Sequence, residues 1–173
     1  MNKAIFFDRD GVINHDYGYI SKISDFKIIS GVVDSLKFFD QKGFKKIIIT
    51  NQSGIGRGFF SVDEYHKINR YMIDYLKKKS IKIDGVYYCP HTPEDACMCR
   101  KPNNELIEIA IQDFNISRNE SYFIGDKISD MEASKKSRLK KCFLIENTIS
   151  QESNSTKYRT FKNLKDLTSS WDE

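Results

Sequence analysis

A short apolar run, Ala4-Ile5-Phe6-Phe7, stops abruptly at Asp8-Arg9-Asp10-Gly11, and this junction constrains the fold more than any other part of the chain. Apolar residues bounded by charge and glycine have the pattern of a buried strand. In open α/β sheets ligands gather at the carboxyl ends of the strands, which is where Asp8 and Asp10 fall. Two carboxylates separated by one residue face the same way along a strand. Asp8 can then attack a phosphorus atom while Asp10 handles the leaving group's proton. Taken alone, the same residues also make an ordinary turn after a strand.

The pattern recurs. A second run, Lys46 to Ile49, leads into Thr50-Asn51-Gln52-Ser53-Gly54, where a hydroxyl and backbone amides can hold a phosphoryl oxygen. Arg100-Lys101-Pro102 opens a helical pattern, with Pro102 expected in its first turn, and its two cations can neutralise a phosphate. The run Tyr122 to Ile124 leads into Gly125-Asp126-Lys127-Ile128-Ser129-Asp130, whose carboxylates can hold a divalent cation.

Between these runs lie helical patterns at Val32 to Gln41, Val62 to Lys79, Asn104 to Phe114 and Ser129 to Ser137, with Gly43 placed to end the first and Ser61 to cap the second. Alternating strands and helices predict an α/β fold, a three-layer sandwich around a mostly parallel, Rossmann-like sheet. With 173 residues, 39% of them hydrophobic, the chain can bury a core as one domain spanning residues 1–173, and no segment is large enough for a separate cap domain. In the C-terminal extension, about residues 150–173, Ser150 to Thr156 reads as a polar, mobile connection. Tyr158 to Trp171 can then add a small strand and a helix docked through Phe161, Leu164, Leu167 and Trp171.

Cys89, His91, Cys97 and Cys99 form C-x-H-x5-C-x-C, three thiolates and an imidazole within eleven residues. That set matches a closed, tetrahedral structural Zn2+ site. Free thiols, or disulfides in an exported protein, are the alternatives. Met1-Asn2-Lys3 leads straight into a strand, and no apolar stretch approaches the roughly 20 residues of a membrane span, so the expectation is a cytoplasmic protein with reduced cysteines. Cys142 reads as a buried strand residue. A loop pinned from Cys89 to Lys101 would orient Arg100 and Lys101.

A net charge of +4 beside a zinc cluster also fits a nucleic-acid-binding module. Lys77-Lys78-Lys79, Lys135-Lys136 and Lys140-Lys141 fall at helix ends or exposed faces, and no groove-reading motif accompanies them. The expectation is no nucleic acid and no membrane partner, only a small-molecule substrate, and a monomer.

An aspartate pair, a threonine, a lysine and a second acidic pair, each at a strand end and in that order, resemble the four-motif signature of the haloacid dehalogenase superfamily of phosphohydrolases. The resemblance spans residues 3 to 147. It implies that Asp8 is the nucleophile, forming an aspartyl phosphate, and that Asp10 is the general acid and then base. Thr50 and Lys101 would stabilise the transferring phosphoryl group. Mg2+ would be held by Asp8, the Asp10 carbonyl and Asp126, with Asp130 behind them.

Within the superfamily, the segments DRDGVIN, DYGYI, TNQSGIGRG, DGVYYCPH, CRKP and GDKISDM are similar to those of the heptose 1,7-bisphosphate 7-phosphatases. That resemblance implies a Mg-dependent enzyme removing the 7-phosphate of D-glycero-D-manno-heptose 1,7-bisphosphate in nucleotide-activated heptose biosynthesis, for lipopolysaccharide, capsule or another glycan. Substrate contacts are then expected from Asp16, Tyr17, Gly18, Tyr19, Asn51, Gln52, Ser53, Arg57, Arg100 and Lys127, although Arg57 can equally face water. Lys127 can also pair with Asp8. Histidinol-phosphate phosphatases share DRDG, TNQ, the zinc loop and CRKP and are the alternative; the five residues between His91 and Cys97 match their short loop. Ser137 to Lys141 departs from the superfamily by lacking its usual glycine.

Overall fold

The computed structural model of the chain describes residues 1–146 and 158–172. At its centre is a six-stranded sheet made of Ala4–Phe7 (β1), Lys45–Asn51 (β2), Gly85–Cys89 (β3), Tyr122–Gly125 (β4), Lys141–Ile145 (β5) and Arg159–Phe161 (β6), in the order β3-β2-β1-β4-β5-β6. Every neighbouring pair runs parallel. Around it lie Val32–Gln41 (α1), Ser53–Gly56 (α2), Val62–Lys78 (α3), Glu105–Asp113 (α4), Ile128–Lys136 (α5) and Leu164–Ser169 (α6).

The alternation of side chains along β1 explains the layers. Ile5 and Phe7 point into a core shared with Val32, Leu36 and Phe39 of α1, Ile68, Met72 and Leu76 of α3, and Leu164 and Leu167 of α6. Ala4 and Phe6 point the other way, into a core with Leu106, Ile107 and Ala110 of α4 and Met131 and Ala133 of α5. A strand buried on both faces has no polar face to offer water, so it lies in the interior of the sheet.

The helix ends follow the expected chemistry. Gly43 has φ +76° and its amide closes on Asp40 O at 2.9 Å, ending α1. Ser61 Oγ accepts the Glu64 amide at 3.2 Å while the Glu64 carboxylate accepts the Ser61 amide at 2.8 Å, a capping box typically worth about 1 kcal/mol.

The segment around Pro102 differs from expectation. It is not in a first helical turn: α4 starts at Glu105, and Arg100 to Asn103 form a turn closed by the Asn103 amide on Arg100 O at 2.8 Å, with a cis Lys101–Pro102 peptide. The apolar face that drives α4 inward begins only at Leu106, so nothing draws Pro102 into the helix. Among the described strands and α-helices, two are additional to those read from the sequence. In β3, Gly85 to Tyr88 are only half-buried at the sheet edge, which blurs its pattern, and α2 is a single turn containing Gly54 and Gly56.

Ser150 to Thr156 lie outside the described residues. Beyond them β6 and α6 dock as expected, and Trp171 sits 4.9 to 6.4 Å from the rings of Phe38, Phe39, Phe44, Tyr122 and Phe143. Among the described residues no helix is long and apolar enough to cross a membrane.

Candidate active site

The strand order places β1 between β2 and β4, and the carboxyl ends of these three strands converge on one pocket of about 510 Å³. Asp8 continues β1: its amide donates to Ile124 O on β4 at 2.9 Å, and its Oδ1 accepts the Arg9 amide at 2.7 Å. Lys101 reaches the same oxygen with Nζ at 3.0 Å, is 2.6 Å from Asp130 Oδ1, and donates to Ile49 O at 2.7 Å. Burial works against the Lys101 ammonium, but Asp130 and Asp8 outweigh it and hold its proton more tightly than usual.

Asp8, Asp126 and Asp130 place carboxylate oxygens within 4.8 Å of one another. Two glycines permit this crowding. Gly11 has φ +84° and a Cβ there would lie 2.2 Å from Asp126 Oδ2; a Cβ at Gly125 would lie 2.3 Å from that of Asp130. Asp126 Oδ1 is buried with no hydrogen-bond partner among the described residues. Burial and then the Asp8 charge push Asp126 well above the usual carboxylate range, and burial does the same to Asp8. Crowded buried carboxylates with an orphaned oxygen are what a divalent cation would relieve, so the donor set fits Mg2+.

Asp10 is different. Arg9 Nη2 donates to both of its oxygens at 3.1 Å, Asn14 Nδ2 to Oδ1 at 2.9 Å and Gln52 Nε2 to Oδ2 at 2.7 Å. Burial alone would raise its pKa, yet the Arg9 charge and these hydrogen bonds prevail and lower it. Arg9 and Asn14 were not singled out from the sequence. The available signal was Arg9 itself, a cation inside a strand-end acidic pair.

Several residues expected at the substrate make internal contacts. Gln52 Nε2 also donates to Thr50 Oγ1 at 2.9 Å, and Asn51 spends both ends of its carboxamide on the Lys101 main chain. Lys127 Nζ lies 3.3 Å from Asp16 Oδ2, and the structure gives no direct pair with Asp8. Asp8, Asp10, Asp16, Gly18, Tyr19, Asn51, Gln52, Ser53, Arg100, Lys101, Lys127 and Asp130 line the pocket. Thr50 and Asp126 do not line it; Thr50 is buried behind Gln52, and Asp126 lies beside Asp8. Tyr17 lines a neighbouring pocket, and Arg57 turns away to Glu94 at 3.7 Å. Gly58 alone of Gly54, Gly56 and Gly58 has positive φ, two residues beyond the end of α2.

Beside the pocket, Cys89, His91, Cys97 and Cys99 gather their ligand atoms within 4.8 Å. The contacts run from Cys89 Sγ to Cys99 Sγ at 3.1 Å up to Cys89 Sγ to His91 Nδ1 at 3.6 Å. These distances are too long for disulfides, and all four cysteines of the chain are free. The four ligand atoms converge closely enough to share one ion, and burial raises the Cys89 and Cys99 thiols, a cost that binding as thiolates to a dication would remove. Cys89 pairs with Asn51 across β3 and β2, so the loop leaves the sheet beside the residue to which Lys101 returns.

A family model described as polynucleotide kinase 3 phosphatase matches residues 3–162. A D-glycero-β-D-manno-heptose-1,7-bisphosphate 7-phosphatase of Haemophilus influenzae is 40% identical over 151 residues, 84% of this chain and 82% of that protein. One from Helicobacter pylori is 39% identical over 168 residues, covering 96% and 97%. This chain belongs to the heptose-1,7-bisphosphate 7-phosphatase family. A Campylobacter jejuni member of that family, 38% identical over 95% of this chain and 93% of its own length, is named for the α anomer. In fold, the heptose bisphosphatase from B. bronchiseptica, solved with magnesium and phosphate, aligns with a TM-score of 0.87 at 24% identity over 96% of each chain.

Proposed function

We propose that the chain is a Mg-dependent phosphatase that removes the 7-phosphate of D-glycero-D-manno-heptose 1,7-bisphosphate and leaves the 1-phosphate in place. The observation that carries this reading is the meeting of Asp8, Lys101, Asp126 and Asp130 beside one pocket, in a chain whose relatives carry that activity in their names. The family model's description points to nucleic-acid ends, whereas these relatives act on a sugar bisphosphate and extend over nearly the same length.

Asp8 attacks phosphorus to form an aspartyl phosphate; Asp10, which must first take up a proton against the pull of Arg9, gives it to the departing sugar oxygen and then takes one from water. Lys101, fixed by Asp8, Asp130 and Ile49 O, faces the charge that builds on the transferring oxygens, and the Thr50 hydroxyl assists. Asp8, Asp126 and the Asp10 carbonyl would hold Mg2+, with Asp130 behind them because its oxygens already meet Lys101 Nζ and the Lys127 amide. When bound, Mg2+ offsets the repulsion between a carboxylate and a phosphate dianion.

At the outer end, Arg100 and Lys127 take the retained phosphate, while Asp16, Gly18, Tyr19 and Ser53 border the sugar. Tyr17 and Arg57 reach it only by moving. Cys89, His91, Cys97 and Cys99 would hold Zn2+, which would fix the loop that carries Arg100 and Lys101. Residues 1–173 act as one catalytic unit, a cytoplasmic monomer in nucleotide-activated heptose synthesis. Steady-state kinetics on both heptose bisphosphate anomers beside histidinol phosphate test the reading; preference for histidinol phosphate overturns it.

A further inference from the structure

Among the described residues Arg9 is the largest fully buried side chain, 1% exposed, in a position where solvent would ordinarily claim a guanidinium. Its Nη2 grips both oxygens of Asp10 at 3.1 Å, and its Nη1 donates to Asn69 Oδ1 on α3 at 3.1 Å. The guanidinium carbon lies 5.5 Å from the Tyr65 ring and 5.9 Å from the Phe26 ring. Asn69 is itself only 7% exposed, outside the pocket lining and far from Asp10 in sequence.

We infer that Arg9, held from α3 by Asn69, is a positioning residue that fixes the carboxylate of Asp10 for proton transfer to the leaving group. The inference rests on the reading of Asp10 as the acid and base, and it adds a path from a structural helix to that group. A short carboxylate at a strand end has two χ angles to settle. Gln52 and Asn14 each restrain one oxygen, whereas Arg9 spans both and so sets the orientation of the carboxylate plane. Arg9 in turn is planar, and besides two rings at 5.5 and 5.9 Å its guanidinium has the Asn69 contact at its far end to set its orientation. No bond to substrate is required of either residue; the effect passes through Asp10 alone.

The consequence is a selective defect. A sugar alkoxide is a poor leaving group and needs the proton, whereas p-nitrophenolate leaves without one. Leaving-group release in the first turnover, measured for heptose 1,7-bisphosphate and for p-nitrophenyl phosphate, isolates the step. Asn69→Leu and Arg9→Lys, with Asp10→Asn as reference and folding followed by circular dichroism and melting temperature, should slow sugar release by on the order of tenfold or more with KM little changed. Release of p-nitrophenolate should fall several-fold less.

Equal losses on both substrates, or a change confined to KM, would show a merely structural role and overturn the inference. Should Arg9→Lys fail to fold, Asn69→Leu decides alone. If Asp10→Asn is selective and a folded Asn69→Leu is not, positioning fails while the acid assignment stands; if Asp10→Asn shows no selectivity, the acid assignment fails and the positioning inference with it.

Discussion

The Asn51 carboxamide is clamped to the main chain of Lys101: Nδ2 donates to Lys101 O at 3.0 Å and Oδ1 accepts the Lys101 amide at 3.0 Å. The last residue of β2 thereby fixes the register of a loop 50 residues away, at the point where that loop delivers its buried ammonium to Asp8. Replacing either end of the amide leaves a backbone group without its partner. Asn51→Asp should be the worse of two changes because it sets a carboxylate against a carbonyl oxygen. Leaving a fully buried group unpaired costs about 1–3 kcal/mol, and this half-buried clamp falls toward the lower end. We expect Asn51→Ala to lower activity about tenfold or more and to lower the melting temperature, with Asn51→Asp lower still. Kinetics and thermal melts together check this, and unchanged values in both variants would show the clamp to be idle.

The crowding of Asp8, Asp126 and Asp130 is electrostatically costly without a cation. At neutral pH, Asp8→Asn and Asp126→Asn should each abolish turnover while leaving the metal-free fold as stable as the parent or more so, because burial raises both acids and an amide removes the cost of holding Asp8 ionised despite Lys101 and of protonating Asp126 on folding. Mg2+ should raise the melting temperature of the parent and much less that of either variant. Thermal shift with and without Mg2+ measures this, and a metal-free variant markedly less stable than the parent would contradict the cation-site reading.

Zinc content is the next expectation. Metal analysis of protein purified without chelator should give about one Zn2+ per chain, from the four-ligand stoichiometry. Cys97→Ser or Cys99→Ser should reduce stability and activity together, since Arg100 and Lys101 follow Cys99 directly. Full activity after complete removal of zinc would separate the cluster from the catalytic lysine.

Away from the pocket, Arg118 holds Glu108 through two bonds, at 2.9 and 2.6 Å. The hydrogen bond from Arg118 is the largest cause of a lowered pKa at Glu108, so its contribution to stability is complete above the usual carboxylate range and disappears as pH falls through the lowered value. Glu108→Gln should therefore melt below the parent at neutral pH, and the gap should close in acid. Melting curves of both proteins across that range test the sign; a gap that widens in acid would refute it.

Much of this architecture is legible in the sequence because the strands that carry chemistry are the most buried. β1 and β4 are near-continuous apolar runs and β2 has the apolar centre Ile47-Ile48-Ile49, and their polar ends fall where the structure places the pocket. The bounds of α1 agree to the residue, since a full apolar face and a closing glycine define it. What the sequence does not display is which polar side chains spend themselves on one another. Asn51 and Gln52 look free to meet a substrate until the fold brings Lys101 and Asp10 within their reach. Arg9 and Asn69 are 60 residues apart and meet only because α3 packs over the β1 end. The edge strand β3 is obscured for a related reason, since half-burial leaves it neither continuous nor alternating.

Regiochemistry tests the central claim most directly. Heptose 1,7-bisphosphate should be incubated with the Mg2+-loaded protein and followed by phosphorus NMR. The account predicts loss of the 7-phosphate signal, growth of inorganic phosphate and persistence of the anomeric 1-phosphate. Release of the anomeric phosphate first, or no turnover of the bisphosphate by folded protein, would contradict it.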